Sequence, residues 1–389
     1  MRYFDAGPVG RRRRRFLSRQ PLATQRFQKK IKILFFCGAL LGVSLILMVK
    51  LNLLSWLTPL SVFSQIINPS GLRQSDGRTN VLILGLDTRT QAASGSAVLA
   101  DTIIVGSLSR IGGDPVLISV PRDLWVPLDD YYSGKINSAY SLKGVDALRK
   151  IVEKVLGIPV HYHLVIGFEG FHQVVDTLGG IEVDVERSFD DYRYPIEGRE
   201  QWQCPEKTPD LEEGATAGGE ATTSQLQEEE VFHPCRYEHV HFDAGRQVMS
   251  GEIALKYARS RYALGPEGSD FARALRQQKV IMAVRDKALS WETLTNPGKV
   301  KELYEAYQRY VETDIGLPEA EGFLDFGRQL GKVTMATYVL GNGLDESGRT
   351  LLISPGENSL YGGQYALIPR AGNFSAVRAW VQKMLFGGD

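Results

Sequence analysis

"NVLILGLDTR", Asn80 to Arg89, is apolar from Val81 to Leu84 and again at Leu86, then turns polar at Asp87, Thr88 and Arg89. An unbroken apolar run of this length reads as a strand covered on both faces rather than one with a wet side. "ADTIIVGSLSR" (Ala100–Arg110) and "PVLISVPRDLWV" (Pro115–Val126) repeat the form. Between and after them the period changes. "GVDALRKIVEKVLGI" (Gly144–Ile158) carries Val145, Leu148, Ile151, Val152 and Val155 at helical spacing, with Gly157 placed to end it. "VHYHLVIGF" is another strand, "GFHQVVDTLGG" a helix stopped by two glycines, and "IEVDVE" a strictly alternating, half-buried strand. Strands interleaved with helices predict an α/β fold with helices on both faces of a sheet. From about residue 292 the patterning weakens, and the chain closes on a helix, "SAVRAWVQKML".

Working outward, the two ends of the charge distribution differ. The 389 residues carry no net charge, yet residues 1–50 hold 12 Lys/Arg against one acid, Asp5. Ile33 to Val49, "ILFFCGALLGVSLILMV", is uncharged and resumes as "LNLLSWL" after Lys50. A run of this length spans roughly 25 Å as a helix, near the thickness of a bilayer core. The expectation is a basic cytoplasmic arm (1–32), one transmembrane helix (33–57), a linker (58–79) and an extracytoplasmic domain (80–389), with the basic flank held inside. The long basic arm and the lack of a nearby small-residue cleavage site argue against a secretory signal peptide. The basic run Arg11–Arg15 is explained by topology and anionic lipid, so no nucleic-acid partner is expected. Residues 203–236 read as an insertion. Glu206, Asp210, Glu212, Glu213, Glu220, Glu228, Glu229 and Glu230 oppose a single Lys207, and Cys204 and Cys235 bracket the segment, ready to pair in an oxidising compartment.

Polar residues gather at the ends of the apolar runs: Asp87 with Arg89, Asp101, and Arg122 with Asp123. In open α/β sheets, functional groups collect at strand ends. Asp101 begins its strand, so it meets Asp87 only if the two strands are antiparallel. Two carboxylates without further protein ligands suit Mg²⁺, which completes its shell with water and phosphate oxygens; ordinary caps or surface ion pairs are the alternative. A second concentration is "ALKYARSRYALGPEGSDFARALRQQK" (Ala254–Lys279), with Arg259, Arg261, Arg273 and Arg276. Asp270 is placed to cap the helix from Phe271, and Arg273 and Gln277 share one face of its first turns. Guanidiniums recognise phosphate in bidentate fashion, although cations at a helix end also answer its dipole. The residues by themselves leave a site for a phosphorylated substrate and an ion-pair network both open.

The string "LGLDTR … LADTIIVGSLS … ISVPRDLWVPL … KINSAYSLKG … IGFEGFHQVVDTLGGIEVDV … DAGRQVMSGEIALKYARSRYALGPEGSDFARALRQQKVI" resembles the LytR-CpsA-Psr family, collinearly over about residues 78–290. That resemblance implies an α-β-α sandwich around a central mixed sheet, with a hydrophobic groove for a lipid tail. It implies a Mg²⁺-dependent phosphotransferase (Mn²⁺ as a substitute). Such an enzyme moves an anionic glycopolymer from a polyprenyl-pyrophosphate carrier in the bacterial plasma membrane onto peptidoglycan. Carried over by position, Asp87 and Asp101 are the metal aspartates. Arg89, Arg122, Lys135, Arg259, Arg261, Arg273 and Gln277 are pyrophosphate contacts, with Asn137 in the "KIN" element. Arg122, Asp123 and Asp270 are catalytic, and either Asp123 or Asp270 is placed to take the acceptor proton. Ser269 in "PEGSDFAR" is a mild departure from the family pattern, and the acidic insertion is unusual for it.

Two other readings use the same residues: hydrolysis of the pyrophosphate, and a non-catalytic lipid-binding or transcriptional attenuator protein. The latter needs a DNA-binding part before the membrane, and no helix-turn-helix pattern stands there. The pairs His161/His163 and His239/His241 have the spacing of zinc ligands, but the resemblance places neither in the site.

Overall fold

The computed structural model describes residues 71–87, 97–109, 113–128, 132–199, 202–204, 234–330, 335–356 and 358–387. The basic arm, the expected membrane span, most of the expected linker, Arg89 and most of the acidic insertion lie outside these residues. No described helix is long and apolar enough to cross a membrane.

The Asn80 run forms β1 (Arg78–Asp87), and the two runs that copy it form β2 (Leu99–Ser109) and β3 (Val116–Ser119). Pro121 has no N–H for a ladder, so the third run breaks after Ser119. It resumes as a short strand, β4 (Trp125–Pro127), paired with β5 (Ser133–Lys135). Helix α1 (Ser138–Leu156) starts six residues earlier than the periodicity from Gly144 suggests. Gly144 itself takes φ 75°, so the early turn is kinked there, while Gly157 ends the helix at φ 72° as expected. Next come β6 (Tyr162–Gly167), α2 (Phe168–Thr177) and β7 (Ile181–Val185), whose side chains alternate between buried and exposed.

β8 (Phe189–Pro195) and β9 (Tyr237–Phe242) form a hairpin around the insertion, whose base is closed by a Cys204–Cys235 disulfide. β10 (Gly245–Met249) returns to β7. Helix α3 (Gly251–Arg259) begins at a Ser250 cap that accepts the Ile253 N–H. Helix α4 (Asp270–Ala288) follows a turn of 3₁₀ helix. The weakly patterned tail is nonetheless regular: α5 (Pro297–Tyr310), β11 (Val311–Thr313), α6 (Leu317–Leu330), β12 (Ala336–Val339) and α7 (Ser375–Phe386).

The central sheet has the order β11-β6-β1-β2-β3-β12 and is mixed. β6 runs parallel to β1 and β12 parallel to β3, while β1/β2, β2/β3 and β6/β11 are antiparallel. Leu82, Leu84 and Leu86 face a core with Leu148, Val152, Val377 and Val381, which come from α1 and α7. Val81 and Ile83 point the other way, to Leu72, Ile315 and Phe323. One strand therefore buries both of its faces, as its unbroken apolarity requires. A second core joins β7–β10 to α2, α3 and α4 around Leu178, Phe189, Phe242 and Tyr257. The expected linker runs to residue 79, but Leu72 is already buried and β1 has begun by Arg78.

Arg78 ties the sheet to the last helix. Its guanidinium is buried and donates to Ser107 Oγ at 2.8 Å, to Leu385 O at 2.9 Å and to Asp114 O at 2.9 Å. Every acceptor is neutral, so the interaction depends on several bonds from one rigid fork. Arg78→Ala leaves these acceptors without their donor inside the protein. The expected loss is about 3 kcal/mol, seen as a lower urea midpoint at unchanged slope.

Candidate active site

Because β1, β3, β6 and β12 point the same way and β2 the other, the end of β1 and the start of β2 meet at one edge. Asp87 lies opposite Leu99, Leu86 opposite Ala100, and Gly85 opposite Thr102. Asp101 is the extra residue of this bulge, which twists it off the regular ladder. The antiparallel condition for bringing Asp87 and Asp101 together is thus met. The loop after β3 delivers Arg122 to the same edge, the loop after β12 delivers Asn342, and the start of α2 delivers Phe168.

A cavity of about 180 Å³ opens there. Of the residues expected in the site, Asp101, Arg122, Asp123, Asp270, Arg273 and Gln277 line it. Arg122 Nη1 pairs with Asp101 Oδ1 at 3.0 Å, and Arg122 Nε stands 3.6 Å from Asp123 Oδ2. Lys135 Nζ donates to Asp123 Oδ1 at 2.6 Å. Burial works against the Arg122 charge, but Asp101, Asp123 and Asp270 outweigh it and raise its pKa. Its Nε is nonetheless buried with no hydrogen-bond partner among the described residues. A buried, unsatisfied donor on a permanent cation is costly, and an incoming anion relieves it. Arg273 lies on the other wall, paired with Asp270 at 2.9 Å. Burial, and then repulsion from Arg122, pushes its pKa down to about 10. Cations that repel each other across a cavity favour a polyanion between them.

Asp270 does not cap α4. Ser269 does, its Oγ accepting the Ala272 N–H at 3.1 Å. Asp270 is the first helical residue, half-exposed and turned to the cavity with Arg273 and Gln277. Gly268 precedes the cap because a Cβ there would collide with the Ala263 carbonyl oxygen. Asp123, in contrast, is buried and held by both Lys135 and Arg122. The two carboxylates that the sequence left as equal candidates for a proton acceptor are therefore in different situations.

Arg259 and Arg261 lie outside that cavity lining. The Arg259 guanidinium stacks 4.2 Å from the centre of the Phe168 ring and donates to Tyr194 Oη at 3.0 Å. Arg261 is close enough for its charge to act on Arg273. Arg276 is not part of the phosphate-binding set that its neighbours suggest. It is buried, paired with Glu267 at 3.0 Å, bonded to the Tyr257 and Ser260 carbonyls, and stacked on Phe189. Arg276 instead locks α4 against the end of α3. Gln278 does the same for the sheet, donating to Ser119 Oγ at 2.9 Å and to Tyr338 O at 2.8 Å.

Sequence reasoning missed Asp191. It is fully buried on β8, and its Oδ2 accepts the backbone N–H of Arg261 at 3.0 Å and of Tyr262 at 3.2 Å, while Oδ1 accepts from Arg193 at 2.9 Å. Only its second acid neighbour in "FDDY" marks it, and nothing there distinguishes an ordering carboxylate from a surface one. The other acid, Asp190, takes His239 and His241, each at 2.8 Å, so that H-x-H pair is spent on the hairpin. Among the described residues no three His, Cys, Asp or Glu side chains converge as a metal site. A cation at the strand ends has the two carboxylates Asp87 and Asp101 at most, a donor set that fits Mg²⁺ with water and substrate oxygens rather than Zn²⁺.

A larger apolar trough of about 440 Å³ adjoins the cavity, sharing Phe271, Val339 and Asn342 and continuing along Leu275, Trp380 and Met384. Asp191→Asn replaces one of two accepting oxygens with a donor that faces an N–H. The expected result is a melting temperature lower by several degrees, about 1–3 kcal/mol, as the Arg261 turn loosens.

The chain is 27% identical over 309 residues to the cell wall biosynthesis protein LcpA of Corynebacterium glutamicum, covering 68% of this chain and 50% of that one. It is 28% identical over 237 residues to TagU of Bacillus mycoides, a polyisoprenyl-teichoic acid–peptidoglycan teichoic acid transferase, covering 61% of this chain and 60% of that one. It thus matches about half to three-fifths of the length of these relatives. The crystal structure of B. subtilis TagV shares its fold, with a TM-score of 0.51 at 25% identity over 80% of this chain and 98% of that one. Residues 60–352, most of the sequence, match one family as a whole, and the chain belongs to that LytR_cpsA_psr family.

Proposed function

We propose that this protein is a phosphotransferase that moves an anionic glycopolymer from a polyprenyl-pyrophosphate carrier to a peptidoglycan sugar hydroxyl. The observation that carries the reading is the partly buried Arg122 guanidinium, flanked by Asp101 and Asp123, whose buried Nε no described residue satisfies. Family membership supports it, as does the named activity of the TagU relative.

On this reading the pyrophosphate bridges Arg122 and Arg273, with Arg261, Arg259 and Gln277 at its edges and Lys135 acting through Asp123. Asp87 and Asp101 would hold Mg²⁺, which would supply positive charge to the site. The acceptor hydroxyl gives its proton to Asp270 as its oxygen attacks the phosphorus nearer the polymer. The bond from that phosphorus to the bridging oxygen breaks, and the lipid phosphate leaves with the electron pair. Asp270 suits the base role because it is half-exposed at the mouth, whereas Asp123 is committed to Lys135 and Arg122. The cation wall neutralises charge that grows on the leaving phosphate, and orientation does most of the rest. The apolar trough beside the cavity receives the first prenyl units. Residues 33–57 anchor the chain in the bacterial plasma membrane, with this domain outside.

The test is transfer itself. The full chain in detergent is given a polyprenyl-pyrophosphate oligosaccharide, Mg²⁺ and peptidoglycan fragments, and products are read by mass spectrometry. The expected product is a phosphodiester-linked sugar that disappears with a chelator. Arg122→Ala should lower kcat/KM by about 100-fold or more. Asp270→Asn should lower kcat by about 10²-fold or more with the donor KM little changed. Free sugar phosphate as the only product would replace the reading with hydrolysis. Tight lipid binding without turnover would replace it with a non-catalytic carrier or attenuator.

A further inference from the structure

The family match ends at residue 352, yet the chain beyond it returns to the site. Leu367 joins Leu124 in a parallel bridge. The Trp125 N–H donates to Leu367 O at 2.8 Å, and the Leu367 N–H donates to Asp123 O at 3.0 Å. Ala366 is fully buried, and Tyr361 packs edge-on to Trp125 with ring centres 5.1 Å apart. Tyr365 is two residues from a backbone pairing made to Asp123 itself, so its main chain is held next to that residue. Nevertheless 49% of Tyr365 stays exposed, and it lines the cavity with Arg122, Asp123, Asp270 and Arg273.

The charges of the cavity are paired: Arg122 with Asp101 and Asp123, and Arg273 with Asp270. Tyr365 and Asn342 add uncharged polar groups to the same lining. Burial, and then the charges of nearby Asp270 and Asp123, raise the Tyr365 pKa, so at neutral pH it is an uncharged phenol. The face of such a ring is electron-rich. Beside two carboxylates it repels phosphate, but it suits the C–H face of a pyranose, which is neutral and carries slightly positive hydrogens. Asn342 adds an amide able to donate to and accept from sugar hydroxyls. A hydroxyl that surrenders its proton to Asp270 must belong to a sugar close to Tyr365.

We propose that Tyr365 is the stacking wall of an acceptor-sugar subsite, with a pyranose seated over its ring and the attacking hydroxyl turned to Asp270. This rests on the transfer reading above and makes Tyr365 a specificity and positioning residue for the acceptor, without a role in holding the pyrophosphate.

Two probes separate acceptor binding from carrier binding in the full chain in detergent: a β-1,4-linked N-acetylglucosamine tetrasaccharide, followed by saturation-transfer NMR, and geranyl pyrophosphate, followed by calorimetry. Acceptor KM in the transfer assay is the third readout. Tyr365→Ala should abolish the saccharide signal and raise acceptor KM about tenfold or more, with the geranyl pyrophosphate Kd within twofold of wild type. Tyr365→Phe and Tyr365→Trp should restore saccharide binding, since they keep the stacking face. The subsite is overturned if Tyr365→Ala matches wild type in saccharide signal and acceptor KM, or weakens both probes alike. A wild type that transfers, with an indifferent Tyr365→Ala, removes the subsite alone. A wild type that binds geranyl pyrophosphate but neither binds the saccharide nor transfers removes the transfer reading and the subsite with it.

Discussion

The site depends on keeping one guanidinium charged inside the protein. Arg122 is partly buried at the end of the sheet, where desolvation disfavours its charge. Three carboxylates compensate, and they come from three places: Asp101 from the β2 bulge, Asp123 from the next residue in the chain, and Asp270 from the start of α4. Each is necessary because a buried charge without partners costs several kcal/mol. Each must also stop short of satisfying the arginine completely, or an anion would gain little by entering. The unbonded Nε and the 3.6 Å separation from Asp123 mark that balance.

Holding three elements in register at one point takes a second set of polar anchors further back. Asp191 binds the backbone that leads from Arg259 to Tyr262, and Arg276 binds the carbonyls at the end of α3. Gln278 ties α4 to β3 through Ser119. These groups are buried and hydrogen-bonded, so they orient the site residues without touching a ligand. The same hairpin that carries Asp191 also carries Tyr194, the partner of Arg259, and the disulfide at the base of the acidic insertion. The hairpin therefore supports both arginines of the "ARSR" pair, one through a backbone turn and one through a side chain.

Much of this was legible in the residues. Unbroken apolarity from Val81 to Leu84 requires two covered faces, and β1 has them. The helical spacing from Val145 to Val155 and the glycine stop at Gly157 appear where expected. The clustering of Asp87, Asp101, Arg122 and the arginine-rich stretch at one sheet edge follows once the strands are known to be mixed in direction. What misled was local chemistry judged without its neighbours. Asp270 has the right type and place for a cap, but Ser269 is one residue earlier and wins the Ala272 N–H. Arg276 has the same sequence setting as Arg273, three residues away, but its guanidinium packs into Glu267 and Phe189.

By itself the sequence determined the kinds of element, their order and the residue types available for phosphate chemistry, because hydrophobic period, glycine stops and caps are local properties. Tertiary structure decided which of those residues meet. Strand direction brought Asp87 towards Asp101. Packing separated Arg273, which lines the cavity, from Arg276, which pairs with Glu267, and half-exposed Asp270 from Asp123, which is committed to Lys135. The return of the chain to pair Leu367 with Leu124 put Tyr365 beside residues more than ninety positions away in either motif. No local pattern encodes that contact, since it depends on how the sheet's edge is closed.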